Sequence, residues 1–238
     1  MILLTGGSGL LGTELQKYVE CWAPSRREFD ITWPFPTTYA STSDIMRLDE
    51  VDLIVHCAAF TDLVRAEKEK ELCYQTNVIG TRNVASLGIP MVYISTEYVF
   101  DGTKGNYEEN DHPNPQNFYA LTKLLGEYEA RRTKSVVIRC LFKPGRFEHD
   151  SACTNQYTSG DTVDKIAPLI AQAVKNFNDL PPTIHIGTRR KSTFEIAVRG
   201  RPDVRPCLLE DIKSVRLPRD TSLTTKVWDN LKEKWKHD

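Results

Sequence analysis

Short apolar runs alternate with amphipathic stretches from the start of the chain. "MILLT" reads as a strand, and Leu11, Leu15 and Val19 fall on one face of a helix spanning Leu10 to Glu20. "CWAPS" follows as a second strand, with a short helix expected around Ser43 to Leu48. "VDLIVHCAA" is a continuous apolar run bounded by charge, the pattern of a strand buried on both faces. The charged stretch from Val64 to Gly88 has the length of one helix, whole or broken, and "IPMVYIS" supplies the next strand. After a polar loop at 110–117, the helix "FYALTKLLGEYEARR" leads into the strand "SVVIRCL", and a helix from Val163 to Phe177 precedes "PTIHIG". Six or seven such β-α steps predict an α/β architecture, a doubly wound parallel sheet with right-handed crossovers. Beyond Gly187 the segments shorten and Pro202, Pro206 and Pro218 punctuate them, so a small C-terminal lobe is expected. The expected division is 1–145 for the core and 146–238 for the lobe, with 163–187 returning to the core.

Composition narrows the function classes. At 238 residues and 40% hydrophobic, the chain can bury one sizeable core and a small second lobe. Its net charge of −1, without a basic tract or finger-type spacing, points away from nucleic acid. No apolar run approaches the roughly 20 residues of a membrane span. "MILLTGG" lacks the charged n-region and cleavage site of a signal peptide. The six cysteines show no C-x-x-C pair and no His/Cys cluster, so reduced thiols, a cytoplasmic location and no metal are expected.

"TGGSGLLG" joins the first strand to the first helix, and Gly6, Gly9 and Gly12 keep a G-x-x-G-x-x-G spacing. Such glycines permit a tight turn and let backbone N–H groups approach a pyrophosphate at a helix N-terminus. This context makes the predicted sheet a Rossmann-type, NAD(P)-binding one. Some twenty residues on, "PSRREFDI" places Ser25, Arg26 and Arg27 ahead of any acid. An arginine there pairs with a 2′-phosphate, whereas an acid would accept from a free 2′-hydroxyl, so NADPH is favoured over NADH. The alternative is a pair of solvated surface arginines.

"YALTK" sets Tyr119 and Lys123 four apart on one helical face, and the preceding strand ends in Ser95-Thr96. Ligands of parallel sheets bind beyond the carboxyl ends of the strands, so Thr96, Tyr119 and Lys123 should share one crevice. A phenol with a pKa near 10 is a poor acid, and a neighbouring ammonium would lower that value. Tyr119 could then protonate a carbonyl as hydride arrives, with Thr96 polarising it and Lys123 also holding the nicotinamide ribose.

Together TGGSGLLG, "HCAA", "NVIGTRNV", "STEYVFDG", "ENDHPNPQN" and "YALTK" resemble the extended short-chain dehydrogenase/reductases, and within them the dTDP-4-dehydrorhamnose reductase group. The resemblance implies reduction of the 4-keto group of a nucleotide-linked 6-deoxyhexulose, as in dTDP-rhamnose biosynthesis. It implies Thr96, Tyr119 and Lys123 as catalytic and Gly6, Gly9, Leu10, Leu11 and Gly12 along the pyrophosphate. Ser25 and Arg26 would meet the ribose phosphate, Asp30 and Ile31 the adenine, and Ala58 and Ala59 the cofactor. Thr61 and one of Arg189, Arg190 or Arg219 would meet the sugar nucleotide, a solvated surface being the alternative for each arginine. The chain departs from the family after Arg139, where "CLFKPG" replaces an aromatic-rich strand end, and it is shorter after Gly145 than family members usually are.

Three other readings share the fold. A 4,6-dehydratase needs an acid and a base in this strand-end segment, where that family has Thr-Asp-Glu; here Thr96, Glu97 and Tyr98 offer one carboxylate, so Glu97 is expected to point away from the reacting carbon. A C4 epimerase is harder to separate by motif. A regulatory subunit is the non-enzyme reading, because the beta subunit of methionine adenosyltransferase resembles the same group. His56 and Cys57 read as packed core and His112 as structural or solvated. Trp228, Leu231 and Trp235 recur at helical spacing and should cover the core or a homodimer seam.

Overall fold

A computed structural model describes residues 1–34 and 46–236. Along the chain it runs β1 (Ile2–Thr5), α1 (Leu10–Leu15), β2 (Leu53–His56), α2 (Leu63–Lys68), α3 (Lys70–Tyr74), α4 (Gly80–Ala85), β3 (Met91–Thr96), α5 (Phe118–Ala130) and β4 (Ser135–Cys140). There follow β5 (Phe142–Lys143), β6 (Ser151–Cys153), β7 (Tyr157–Thr158), β8 (Asp161–Thr162), α6 (Val163–Lys175), β9 (Thr183–His185), β10 (Lys191–Ser192), α7 (Thr193–Gly200), β11 (Arg205–Cys207) and α8 (Lys226–Lys234).

Strands β1, β2, β3, β4 and β9 pair in that order, all parallel. Among the described residues the sheet therefore has five strands, fewer than the six or seven steps expected. The missing one is "CWAPS", which shrinks to a single parallel bridge between Leu3 and Trp22 on the other edge of β1. Trp22 exchanges two backbone hydrogen bonds with Ile2 and Leu4, and two residues later Pro24 has no N–H with which to extend the ladder. This bridge still places the chain on the far side of β1 from β2, so the winding reverses there, beside the glycine turn. A crevice at such a reversal is where open α/β sheets bind ligands. Helix α1 also stops earlier than expected, at Leu15: Lys17 and Tyr18 donate to carbonyls only three residues back, tightening the end into turns. Of the short helix expected around Ser43 to Leu48, a 3₁₀ turn is seen at Met46–Glu50, and residues 43–45 lie outside the described residues.

Neighbouring strand residues feed opposite faces. Leu4, Val55 and Val136 pack with Leu11 and Leu15 of α1 and Ile166 and Ile170 of α6, while Leu3, Ile54 and Val137 pack with Val84, Ala85 and Ala130 on the other side. Each fully buried aliphatic side chain contributes about 1.5–3 kcal/mol. Trp228 is buried with Leu231 and Trp235 against it, so this stripe of α8 covers the core.

Two polar anchors set the helix that carries Tyr119. Glu127 receives two hydrogen bonds from Arg139, at 2.9 and 2.8 Å, and one from Ser95 at 2.6 Å, all buried, which ties α5 to β3 and β4. Its N-cap is Asn117, whose side chain accepts from Ala120 N at 2.9 Å and donates to the Arg216 carbonyl at 3.0 Å. The long stretch before β3 is broken, as α2, α3 and α4 with a π-helical segment at Gln75–Ile79 between the last two. That segment carries Asn77, which bonds both backbone groups of Phe60 and donates to Thr122 Oγ1 at 3.0 Å, joining the loop after β2 to α5.

Candidate active site

The carboxyl ends of β1 to β4 open onto a cleft of about 780 Å³. At one end lies the glycine turn. Gly6 has φ +71°, and a Cβ there would sit 2.6 Å from Ala58 N; at Gly12 a Cβ would sit 2.2 Å from Gly6 O. Only glycine allows this closeness, which seats the turn against the residues just after β2 and the start of α1 against the turn. Gly9 caps α1 with no side chain of its own. A tight glycine turn that leads into a helix at the edge of the cleft fits a dinucleotide pyrophosphate.

Gly6, Gly9, Leu10, Leu11, Gly12, Arg26, Asp30, Ile31, Ala58, Ala59, Thr61, Thr96, Tyr119 and Lys123 all line this cleft. The residues expected from sequence that do not are Ser25, Arg189, Arg190 and Arg219. Ser25 closes a local turn, donating its N–H to Glu28 at 2.7 Å. Arg189 pairs with Glu195 at 3.2 Å, Arg190 with Asp220 at 2.7 Å while stacking on Tyr157, and Arg219 with Glu210. Each guanidinium is thus engaged by a carboxylate of its own. Arg26 reaches the cleft mostly exposed and is held by Asp30 at 3.1 Å, while the other Asp30 oxygen accepts from Thr32.

At the other end Thr96 closes β3. It is buried, and its hydroxyl accepts from Tyr98 N at 3.2 Å. Burial pushes the Tyr119 phenol above its ordinary value, and a hydrogen bond with Thr96 opposes that rise. Lys123 does not do what its spacing suggested. Its Nζ donates to the Ile94 carbonyl at 2.7 Å and lies 4.1 Å from the centre of the Tyr93 ring. Burial lowers its pKa to about 8, with the Glu127 carboxylate opposing. In this arrangement the ammonium serves a strand carbonyl, and Tyr119 keeps a proton that it holds more tightly than a free phenol does.

Glu97, next to Thr96, faces away from the cleft. It is wholly buried and accepts from the Thr221 hydroxyl at 2.6 Å. Burial raises its pKa to about 7 against hydrogen bonds from Thr158, Thr221 and the Ser159 backbone. His56 is also structural, held between Thr5 at 2.6 Å and Thr81 at 3.1 Å with its pKa lowered to about 3 by burial. Cys57, expected in the core, touches the cleft. His112 is exposed.

Sequence reasoning did not single out Tyr98, Phe142, Lys143, Glu148 and His149 as part of the site, yet all five line the cleft. Lys143 lies three residues beyond Cys140, the register partner of Thr96. Burial lowers its pKa while Glu97 opposes. The departure "CLFKPG" was the signal that could have found it.

The sequence model described as "RmlD substrate binding domain" matches residues 1–143. The chain is 33% identical over 140 residues to the dTDP-4-dehydrorhamnose reductase of Mycobacterium tuberculosis, covering 53% of this chain and 44% of that protein. It is 34% identical over 139 residues to methionine adenosyltransferase 2 subunit beta of Bos taurus, covering 53% and 41%. The chain spans about half the length of the curated relatives it matches, or less. Among solved structures it resembles a dTDP-4-dehydrorhamnose reductase from Clostridium acetobutylicum, with a TM-score of 0.80, 27% identity and coverage of 98% and 92%. One from Bacillus anthracis, solved in complex with NADP, gives a TM-score of 0.78, 25% identity and coverage of 100% and 99%. With three fifths of its length matched and a glycine-turned parallel sheet beneath, the chain belongs to the RmlD substrate binding domain family.

Proposed function

We propose that this protein is an NADPH-preferring reductase of the 4-keto group of a nucleotide-linked 6-deoxy-4-hexulose. The observation that carries the reading is a single cleft running from the glycine turn to Thr96, Tyr119 and Lys123. Gly6, Gly9, Leu10, Leu11 and Gly12 cradle the pyrophosphate, and Arg26 meets the 2′-phosphate. NADPH, when bound, supplies the hydride. Tyr119 donates its proton to the keto oxygen, and Thr96 shares the charge that develops there. Lys123 would hold the cofactor ribose, and its ammonium, if turned from the Ile94 carbonyl towards Tyr119, would make a tightly protonated phenol a usable acid. Residues 1–145 form the cofactor-binding unit and 146–238 the substrate lobe, with 163–187 belonging to the core. The structure from Bacillus anthracis, in complex with NADP, supports the cofactor. Glu97, turned away from the cleft towards Thr221, speaks against a dehydratase.

A second reading is a cofactor-binding regulatory subunit. It is favoured by the Bos taurus relative and by the engagement of Lys123 with Ile94 rather than with Tyr119. The separating experiment follows NADPH oxidation in the presence of a panel of dTDP- and UDP-linked 4-keto sugars. Turnover on one of them is expected; tight NADPH binding with turnover on none would establish the regulatory reading instead.

A further inference from the structure

Away from the cleft, the lobe holds two thiols face to face. Cys153 ends β6 and Cys207 ends β11, and the two are register partners in a parallel ladder of three residue pairs. Their sulfurs are 3.6 Å apart, both free. Adjacent strands run about 4.8 Å apart, inside the roughly 4.4–6.8 Å span between α-carbons that a disulfide bridges. So short a ladder can adjust to let the sulfurs close the remaining gap. Cys153 is buried and Cys207 partly exposed, so an oxidant in solution meets Cys207 first.

What hangs from Cys207 gives the pair a consequence. Residues 208–219 form a strap that leaves β11 and crosses to the active-site helix. Leu209 N donates to Asn155 at 2.7 Å near its root, Arg216 O accepts from Asn117, the N-cap of α5, at 3.0 Å, and Leu217 packs on the cluster of Tyr98, Ala120 and Leu141 that Tyr119 also packs against. At its far end Tyr157 N donates to Arg219 O at 2.7 Å. A covalent link at Cys207 would anchor the root of the segment that bonds the N-cap of the helix carrying Tyr119.

We propose that Cys153 and Cys207 form a reversible dithiol–disulfide site that reacts with small disulfides of the glutathione type. The Cys207 thiolate attacks one sulfur of oxidised glutathione, a new S–S bond forms, and one glutathione thiolate leaves. Cys153 gives up its proton and attacks Cys207 Sγ, displacing the second glutathione. Two protein thiols become one disulfide, and their two hydrogens end on two glutathione thiols.

The test incubates the full chain in glutathione buffers of stepped oxidised-to-reduced ratio, blocks free thiols, and maps tryptic peptides by mass spectrometry. The expected product is a cross-link between the peptides holding Cys153 and Cys207, reversed by reduced glutathione. C153S should stop at a glutathione adduct on Cys207, and C207S should give no cross-link; circular dichroism checks that both fold. A second readout is cleavage by trypsin at Lys213 and Arg216, both exposed in the strap, which should be several-fold slower in the oxidised protein. Separate blocking of Cys153 and Cys207 at every ratio, or cross-linking to other cysteines in their place, would overturn the site. Equal trypsin rates in the two redox states would overturn the anchoring of the strap.

Discussion

The Thr221 hydroxyl donates to the Glu97 carboxylate at 2.6 Å, a contact between residues 124 positions apart. It fastens the C-terminal lobe to the residue that follows Thr96, and it does so inside the protein, where an ionised carboxylate is disfavoured. Glu97 has a folded-state pKa of about 7 against an ordinary 4.5. The folded state therefore keeps a proton that the unfolded chain releases between those values, so the contribution of Glu97 to stability falls as pH rises from about 4.5 to about 7, against the opposite slope of the buried His56 and His185, whose pKa values are lowered to about 3. Glu97→Gln keeps an acceptor for Thr221 and removes this titration. Urea unfolding across that range should show the stability difference between variant and parent moving in favour of the variant by about 3 kcal/mol as pH rises through the window. Parallel pH profiles for the two proteins would contradict it.

Tyr119→Phe removes the phenol and leaves the cleft otherwise intact. On the proposed reaction, kcat should fall by about 10²–10⁴-fold with NADPH affinity unchanged. Thr96→Val should cost less, because it deletes a polarising hydroxyl rather than the proton donor. Retained turnover in Tyr119→Phe would remove this residue from the acid role.

Arg26→Ala tests the choice of cofactor. The guanidinium is exposed and, among the described residues, is held by Asp30 alone, so its removal should leave folding unchanged. The KM for NADPH should rise about tenfold, the size of one lost charge-assisted contact, with little change for NADH. Equal effects on the two cofactors would show that Arg26 does not read the 2′-phosphate.

Gly12→Ala tests the turn. A Cβ at 2.2 Å from Gly6 O and 2.7 Å from Gly7 Cα meets backbone on both sides. Isothermal titration should show NADPH binding lost, and thermal melting a protein destabilised by about 1–3 kcal/mol. Gly9→Ala, with Gly6 O at 3.2 Å, should be milder on both measures.

Local patterning made the sheet legible where strands are apolar and bounded. β2, β3 and β4 lie within their expected runs, and α5 follows its four-residue spacing to Tyr119 and Lys123. "CWAPS" misled because strand residence depends on a partner's free edge and on backbone donors, and Pro24 lacks one. The orientation of Lys123 was also hidden: spacing puts it on the Tyr119 face, but whether a long side chain reaches a phenol or a strand carbonyl depends on the burial around it. Arg189, Arg190 and Arg219 looked like anion ligands because their carboxylate partners sit 6, 30 and 9 residues away. Lys143 escaped notice because its neighbour in space, Glu97, lies on another strand end.

The buried pair of Glu127 and Arg139 constrains how this sequence can drift. Loss of Glu127 leaves Arg139 without its carboxylate in the interior and Ser95 without its acceptor, at a cost of about 3–5 kcal/mol, while loss of Arg139 leaves the buried Glu127 to Ser95 and to the longer Arg131 contact at 3.6 Å. An apolar pair of matching volume could stand there, but the single-step intermediates lie in a stability trough comparable to much of a domain's total margin. Relatives with a different solution at these two positions are therefore expected to differ at both, and chimaeras that take α5 from one relative and β4 from another should fail to fold unless the pair travels together.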